Sequence, residues 1–449
     1  MTEAAEPRPL TGGAVLGGIS RVALAGAGAL TTILIARLLG PDGSGGYFVA
    51  QSVLLLLTVA TTLGIEHGIA YYVSSGAWSP RPALAASLKI GVLASVVGVL
   101  GALVVRELIP DAFGGLSLAM TLVAAAALPG WLAFFYTSYV ALAIDRYEAY
   151  VLPPALQAVG AMVLAGGGAI AFGLEGAIVG MTIATILVGV ATVLWARRRL
   201  PAGEVDPDGA LKRAVGFGIK GYLANALQTF GSRADIFVLS SVTSAAAVGH
   251  YSVAIAVTTV LWLLPSALAE VLFPRVAHLS AQAGEDAEAH REMVEVKSLR
   301  HVVLLVVAAT AVLAVALLVL VVPVYGGDFR AAIDLGLILL PGTALMGISN
   351  VLASTIIGRG KPVYGLYIVL LTLPLTIVLY ATLIPAEGAT GAAFAKTVTY
   401  AATFILMAVF YQRLTGRSVV RSMVPGMAEV RDLAAIPRAG VGFVSGLRR

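Results

Sequence analysis

Long apolar stretches recur along this chain and are separated by short polar connections. A helix needs about 20 mostly apolar residues to cross the core of a bilayer, and twelve stretches reach that length. They lie at residues 14–39, 47–73, 83–105, 116–143, 150–172, 175–195, 215–240, 245–273, 299–322, 331–357, 363–384 and 388–412. Links as short as Gly173-Leu174 and Pro385-Ala386 predict that the helices they join are antiparallel neighbours.

The composition excludes a water-soluble protein. Hydrophobic residues make up 59% of the 449 residues, and charged residues make up only 12%, against about 25% in soluble domains. A helix that is apolar all round must be buried in protein or in lipid. The sequence therefore predicts an all-α polytopic membrane protein with about twelve transmembrane helices.

Cofactor chemistry has little support in the sequence. The chain has no cysteine, and its five histidines are scattered without the spacing of metal ligands. Disulfides, thiolate metal sites and thiol nucleophiles are excluded, and we expect no cofactor.

The distribution of lysine and arginine predicts the orientation. With a cytoplasmic N terminus, 22 of the 29 basic residues fall in cytoplasmic segments, three fall in outer segments and four lie within helices. Cytoplasmic loops are enriched in these residues. We therefore expect a multi-pass protein of the plasma or inner membrane with both termini in the cytoplasm, and no nucleic-acid partner.

Two halves of the chain resemble each other. Glu175-Gly176-Ala177 opens the sixth predicted helix and Glu387-Gly388-Ala389 opens the twelfth, an offset of 212 residues. Tyr47 and Tyr251 mark the second and eighth helices, with an offset of 204. Parallel repeats of this kind are one plan for transporters. The repeats predict two pseudo-symmetric six-helix lobes around a central cavity.

The predicted domains follow from this duplication. An N-lobe with helices one to six occupies residues 1–200, and a cytoplasmic linker occupies 201–213. A C-lobe with helices seven to twelve occupies 214–413, and a basic cytoplasmic tail occupies 414–449. Apolar residues alternate with arginines in the tail, so an amphipathic helix on anionic lipid and a disordered tail both stay open.

Several segments carry a family resemblance. They are Ile35-Ala36-Arg37-Leu38-Leu39-Gly40-Pro41-Asp42 with Gly46-Tyr47 and Leu63-Gly64-Ile65, Arg233-Ala234-Asp235-Ile236-Phe237-Val238-Leu239-Ser240 with Val248-Gly249-His250-Tyr251-Ser252-Val253-Ala254, and Leu272-Phe273-Pro274-Arg275. These segments resemble the Wzx-like polysaccharide-repeat flippases, a branch of the MOP superfamily that also contains MATE exporters and lipid II flippases.

The resemblance implies a V-shaped, two-lobed carrier. Its substrate would be a polyprenyl-pyrophosphate-linked oligosaccharide, turned from the cytoplasmic to the outer leaflet by alternating access for polysaccharide biosynthesis. Membrane lipid, a polysaccharide polymerase and glycosyltransferases are the partners it implies. A cation-coupled multidrug-type exporter of the same superfamily is the alternative. A membrane enzyme such as a glycosyl polymerase is disfavoured, because the sequence has no long outer loop and no paired catalytic carboxylates.

Polar residues inside the predicted helices are the candidates for substrate binding, because ionisable groups in a membrane usually face a partner or a wet cavity. The candidates are Arg21, Arg233, Asp235, Lys396, Asn225 and Gln228. A guanidinium suits a pyrophosphate, and amides suit sugar hydroxyls. Snorkelling of Arg21 and Lys396 to the membrane surface, ion pairing of Arg233 and Asp235 between helices, and helix packing by the amides are the structural alternatives.

Acidic residues and a histidine are the candidates for ion coupling. Glu66 and His67 are adjacent within the second predicted helix, and Asp235 lies within the seventh. A carboxylate and an imidazole are natural proton carriers, so coupling to H⁺ or Na⁺ is one interpretation. A polar cluster that packs helices together is the other.

Overall fold

The computed structural model describes residues 10–203, 209–282, 285–426 and Glu429. The described chain is α-helical, which confirms the predicted class. The helices are α1 (Leu10–Thr62), α2 (Ile65–Ser74), α3 (Pro80–Leu108), α4 (Leu118–Ala125), α5 (Leu128–Ala143), α6 (Tyr147–Arg199), α7 (Ala210–Val242), α8 (Ala245–Thr258), α9 (Leu263–Ala281), α10 (Glu285–Tyr325), α11 (Ala331–Gly358), α12 (Val363–Thr415) and α13 (Val419–Met423). Short 3-10 turns lie at Pro110–Phe113, Thr259–Trp262 and Gly327–Phe329.

Three of these helices are each two helices joined at a break. A straight helix of 53 residues would be about 80 Å long, far more than the ~30 Å core of a bilayer. Glycines with left-handed φ interrupt them, with φ 64° at Gly40 in α1, 62° at Gly173 in α6 and 59° at Gly388 in α12. These breaks coincide with the short links between apolar stretches in the sequence.

The two halves of α6 and of α12 fold back on themselves. A Cβ on Gly180 would lie 2.1 Å from the carbonyl oxygen of Leu164 across the break in α6. In α12 the Thr376 hydroxyl donates to Thr399 at 3.3 Å. Each long helix is therefore an antiparallel hairpin, as the short links predict.

Apolar helices of the described chain account for eleven of the twelve predicted crossings. Eight helical stretches of the described chain are long and apolar enough to span a membrane. Three of them contain the breaks above, and α7 adds a helix of 33 residues. The multi-pass membrane architecture is thereby confirmed, whereas the orientation of the termini stays a prediction.

The second predicted helix, 47–73, is interrupted rather than continuous. Gly64 adopts φ 71°, which ends α1 and begins α2. The Tyr222 hydroxyl of α7 donates to the carbonyl oxygen of Val59 at 2.7 Å. That bond satisfies a carbonyl near the broken helix end, where intrahelical donors run out.

Other predicted boundaries also need correction. The stretch 116–143 is divided into α4 and α5, and the stretch 245–273 is divided into α8, a 3-10 turn and α9. Polar residues between the eighth and ninth predicted helices extend α9 to Ala281 and begin α10 at Glu285. Charged residues at helical spacing, such as Glu288 and Arg291, support a helix there.

The chain packs as two units. Unit 1 comprises Met1–Val253 with Val324–Asp328, and unit 2 comprises Ala254–Pro323 with Phe329–Arg449. These are units of packing, and the predicted lobes at 1–200 and 214–413 stay a prediction.

Within unit 1, the break in α1 packs against the start of α8. A Cβ on Gly45 would lie 1.9 Å from the carbonyl oxygen of Ala245, and a Cβ on Gly249 would lie 2.1 Å from that of Pro41. Pro41 and Ala245 are 204 residues apart, as are Gly45 and Gly249. The contact is therefore reciprocal between positions related by the offset of the two halves.

A short segment of the chain completes this region of unit 1. The Arg37 Nε donates to the carbonyl oxygen of Val324 at 2.7 Å. The His250 Nε2 donates to the carbonyl oxygen of Asp328 at 2.9 Å. Val324–Asp328 is thus tied to residues that flank both contacting turns.

Within unit 2, a buried ion pair fixes the loop after α11 to α10. The Arg359 guanidinium donates to both carboxylate oxygens of Glu295, at 2.8 and 2.7 Å. Glu288 lies nearby, and its hydrogen bond with Arg291 lowers the pKa of that carboxyl. The Tyr411 hydroxyl of α12 donates to Glu295 at 3.4 Å, so three helices meet at one carboxylate.

Candidate functional site

A cavity of about 270 Å³ lies within unit 1. Both segments of α1 contribute to its wall, because the break at Gly40 brings them side by side, and α5, α6 and α7 close the rest. The lining residues are Leu24, Gly28, Thr31, Thr32, Tyr47, Phe48, Gln51, Ser52, Leu54, Leu55, Thr58, Trp131, Gln157, Ala158, Ala161, Met181 and Arg233.

The wall combines aromatic, hydroxyl and amide side chains. Thr31, Thr32 and Thr58 each donate to a carbonyl one turn earlier in α1, which leaves their oxygen lone pairs available. The Gln157 amide donates to the Thr185 hydroxyl at 3.1 Å. Such a wall offers hydrogen bonds to a neutral polar ligand.

Arg233 is the one charged side chain among the described lining residues. It is half-buried, and it makes no hydrogen bond or ion pair with any residue that the structure describes. An unpaired cation within a membrane protein is costly. The guanidinium is therefore available to an anionic ligand.

Asp235 lies two residues further along α7 in a different environment. It is fully buried, and the Tyr251 hydroxyl donates to its Oδ2 at 2.5 Å. The backbone N–H of Ile236 donates to its Oδ1 at 2.9 Å. Asp235 thus joins α7 to α8 and is not one of the described lining residues, while its predicted roles in substrate binding and ion coupling stay predictions.

Glu66 and His67 lie in the first turn of α2, away from the described lining. The Glu66 side chain is buried, and its Oε2 has no hydrogen-bond partner among the described residues. The buried hydroxyl of Tyr136 also has no hydrogen-bond partner among the described residues. Tyr136 lies close enough to Glu66 for the two side chains to interact electrostatically. The His67 Nε2 is 3.8 Å from Glu66 Oε1, and its ring packs edge-on against Tyr139.

Lys396, Asn225 and Gln228 are not among the described lining residues of the cavity. Lys396 is buried in α12 of unit 2, with its ammonium 6.0 Å from the centre of the Tyr400 ring. Asn225 and Gln228 are exposed on α7 and do not line the cavity. The side chain of Arg21 lies outside the described residues, as do residues 427–428 and 430–449 of the predicted tail. The roles predicted for these residues stay predictions.

Sequence reasoning did not identify Trp131, Gln51 and Tyr47 as site residues. All three line the cavity, and Tyr47 served only as a repeat marker. Placing an uncharged aromatic or amide residue in a membrane helix costs much less free energy than placing a charge there. Such a residue therefore does not stand out in the sequence as a functional candidate. Their spacing on a helix face, as in Tyr47, Gln51 and Thr58, is the one signal that points to a shared surface.

The family described as polysaccharide biosynthesis protein matches residues 33–334. Among curated protein sequences, none matches the chain significantly.

Solved membrane transporters share the fold. A structure described as lipid II flippase MurJ in an inward closed conformation aligns with a TM-score of 0.64 and 14% identity, covering 91% of this chain and 89% of that chain. An inward-facing multidrug resistance MATE family transporter of the MOP superfamily aligns with a TM-score of 0.58 and 15% identity, covering 89% and 98%. A point mutant of the Vibrio cholerae MATE transporter VcmN aligns with a TM-score of 0.57 and 16% identity, covering 90% and 96%. At these identities, the likeness concerns the fold.

Proposed function

Because the chain belongs to the polysaccharide biosynthesis protein family and has the fold of MOP-superfamily transporters, we propose that it flips a polyprenyl-pyrophosphate-linked oligosaccharide from the cytoplasmic to the outer leaflet. It is a membrane transporter and not an enzyme. In this proposal, glycosyltransferases supply the substrate and a polysaccharide polymerase consumes it.

The unpaired guanidinium of Arg233 in the cavity wall is the observation that carries the proposal. A guanidinium presents donors in a planar fork that matches phosphate oxygens. The surrounding hydroxyl and amide groups suit the sugar that follows the pyrophosphate. The polyprenyl tail stays in the bilayer, whose interior is apolar like the tail itself.

The same wall argues against the multidrug-type alternative. A cationic drug needs an acidic partner, and no acidic residue is among the described lining residues. The nearest acid along α7, Asp235, is already bonded to Tyr251. The charge available to a ligand in the described cavity is positive.

A transport assay tests the role of Arg233. The protein is reconstituted into liposomes with a fluorescent polyprenyl-pyrophosphate oligosaccharide, and flipping is followed by protection from an external quencher. We expect Arg233→Ala to lower the flipping rate about tenfold or more, since charged hydrogen bonds contribute about 1.5–3 kcal/mol. Arg233→Lys should recover part of the rate, because it keeps the charge but not the fork.

Arg198→Ala is the matched control, because Arg198 is exposed at the end of α6. It should flip at the wild-type rate. Undiminished flipping by Arg233→Ala would remove Arg233 from the mechanism. Ion-driven efflux of a cationic dye without lipid flipping would replace the proposal with the exporter.

The ion-coupling proposal rests on Glu66. A buried carboxylate with an unpaired oxygen costs free energy that a proton or a bound cation relieves, and Glu66 has such an oxygen among the described residues. We propose that Glu66 takes up and releases a proton during the cycle, with His67 3.8 Å away on the path to solvent.

A gradient experiment tests this coupling. A pH gradient across the liposomes should accelerate flipping by the wild type several-fold, and Glu66→Gln should abolish the acceleration while leaving slow flipping. Glu107→Gln, an exposed carboxylate at the end of α3, is the control. A sodium gradient that accelerates flipping where a pH gradient does not would reassign the coupling to Na⁺.

A further inference from the structure

We propose that the cavity of unit 1 is a subsite for a single sugar ring, the one attached directly to the pyrophosphate, and that Trp131, Gln51 and Gln157 select it. This inference rests on the proposed function and names the part of the substrate that enters the cavity.

The size of the cavity limits what it holds. Small-molecule pockets usually measure about 300–1,000 Å³, and this cavity measures about 270 Å³. An oligosaccharide with its pyrophosphate does not fit in that volume, but one ring does. Arg233 in the same wall supplies a position for phosphate, so the ring inside is the one next to it.

The cavity contains polar groups that the protein leaves unused. Gln51 and the indole N–H of Trp131 have no hydrogen-bond partner among the described residues. Gln157 donates its amide N–H to Thr185, which fixes the orientation of the amide and leaves its Oε1 as an acceptor. The Trp131 indole offers a donor, the Gln51 amide offers both donors and an acceptor, and Gln157 Oε1 offers an oriented acceptor, while sugar hydroxyls both donate and accept.

An aromatic surface accompanies these polar groups. Trp131 is half-buried, and its ring packs against Phe134 with centroids 5.0 Å apart, which holds the indole in place. Tyr47 and Phe48, both on α1, also line the cavity and are buried. A flat aromatic face can cover the C–H face of a sugar ring while its edges meet polar groups. A simple anion would use only the polar groups, and a lipid tail would use only the aromatic surface.

The selecting groups are held on different helices. Gln51 lies on α1, Trp131 on α5 and Gln157 on α6. A site that reads hydroxyls from separate rigid helices discriminates by leaving polar groups unpaired when a hydroxyl points the wrong way. The structure therefore predicts discrimination between sugars that differ in one hydroxyl configuration.

A binding experiment separates the sugar from the pyrophosphate. The full chain in lipid nanodiscs is titrated calorimetrically with farnesyl pyrophosphate and with farnesyl pyrophosphate that carries one sugar. The sugars are glucose, galactose, N-acetylglucosamine and N-acetylgalactosamine. We expect one glycosylated probe to bind at least about tenfold more tightly than farnesyl pyrophosphate itself, the increment of about one aromatic contact and one hydrogen bond.

Variants of the cavity residues show which of them produce the tighter binding of the glycosylated probe. Trp131→Ala should bring the glycosylated probe down to the affinity of farnesyl pyrophosphate and leave the latter unchanged, whereas Trp131→Phe should keep most of the increment. Gln51→Leu or Gln157→Leu should change the ranking of the four sugars. Trp195→Ala is the control, because Trp195 is a half-buried tryptophan of α6 outside the cavity.

The outcomes test the sugar subsite separately from the proposed flippase function. If all glycosylated probes bind the wild type no better than farnesyl pyrophosphate, the sugar subsite is wrong and the proposed function survives. If Trp131→Phe and Trp195→Ala lose the increment alike, the effect is structural and the subsite is also wrong. If no pyrophosphate probe binds the wild type at all, the proposed function fails.

Discussion

The two ionisable side chains in the middle of α7 are satisfied in different ways. Asp235 is fully buried and accepts hydrogen bonds from Tyr251 and from the backbone of Ile236. Arg233 lines the cavity without a partner in the described chain. Residues two apart on a helix point in directions about 200° apart, so one faces a neighbouring helix while the other faces the cavity. At this scale, Asp235 stabilises the fold and Arg233 is available for a ligand.

Removal of the Tyr251 hydroxyl tests this distinction. Tyr251→Phe removes a hydrogen bond to a buried carboxylate, so we expect a loss of about 1–3 kcal/mol in the free energy of unfolding, seen as a lower melting temperature in detergent. Tyr47→Phe is the control at the position 204 residues earlier, because Tyr47 has no hydrogen-bond partner among the described residues. Equal losses in both variants would contradict the structural role of the Asp235 bond.

At the scale of elements, glycine determines how closely helices approach. The backbones of α2 and α7 touch where a Cβ on Gly68 would lie 2.0 Å from the carbonyl oxygen of Ala214. The break of α1 touches α8 in the same manner at Gly45 and Gly249. Small residues allow such approaches in membranes, where packing rather than water exclusion drives association.

Gly249→Ala should therefore be strongly destabilising. Its Cβ would overlap the backbone carbonyl of Pro41, and backbone cannot rotate away as a flexible side chain can. Gly167→Ala in α6 is the matched control, since nothing lies within 4 Å of its Cβ position, and helix propensity alone favours alanine by up to about 1 kcal/mol. A melting temperature for Gly249→Ala equal to that of Gly167→Ala would refute the close contact.

At the scale of the whole molecule, the orientation in the membrane is the open prediction. The absence of cysteine makes single-cysteine variants clean probes. Asp111, exposed in the 3-10 turn after α3, is predicted outside, and Arg198, exposed at the end of α6, is predicted inside. A membrane-impermeant maleimide should label Asp111→Cys in intact cells and Arg198→Cys only after permeabilisation. The reverse pattern would place both termini outside.

The sequence predicts the helices better than their interruptions. Long apolar stretches predict the crossings, and the short links at Gly173 and Pro385 predict the hairpins. The break at Gly64 is absent from the pattern, because a single glycine among many does not show where the chain will bend. Tertiary contacts such as the bond from Tyr222 to Val59 stabilise that bend, and they depend on a helix more than 150 residues away.

The sequence also predicts only some of the residues of the candidate site. Arg233 is predictable because a charge in a membrane helix is rare and costly. Trp131 is not, because an aromatic residue serves packing equally well, and only the folded chain brings α1, α5 and α6 together. Asp235 carries the same sequence signal as Arg233, and the hydrogen bond from Tyr251 is visible only in the structure.

The reciprocal contact of Gly45 and Gly249 has a consequence for the origin of the chain. Pro41 meets Gly249 while Ala245 meets Gly45, and such exchange of equivalent partners is what a two-fold homodimer displays. A single ancestral six-helix protein could have paired with its own copy through this turn before its gene was duplicated and fused. The two turns would then have lost the freedom to change separately, because a larger residue at either glycine would collide with the backbone of the other turn.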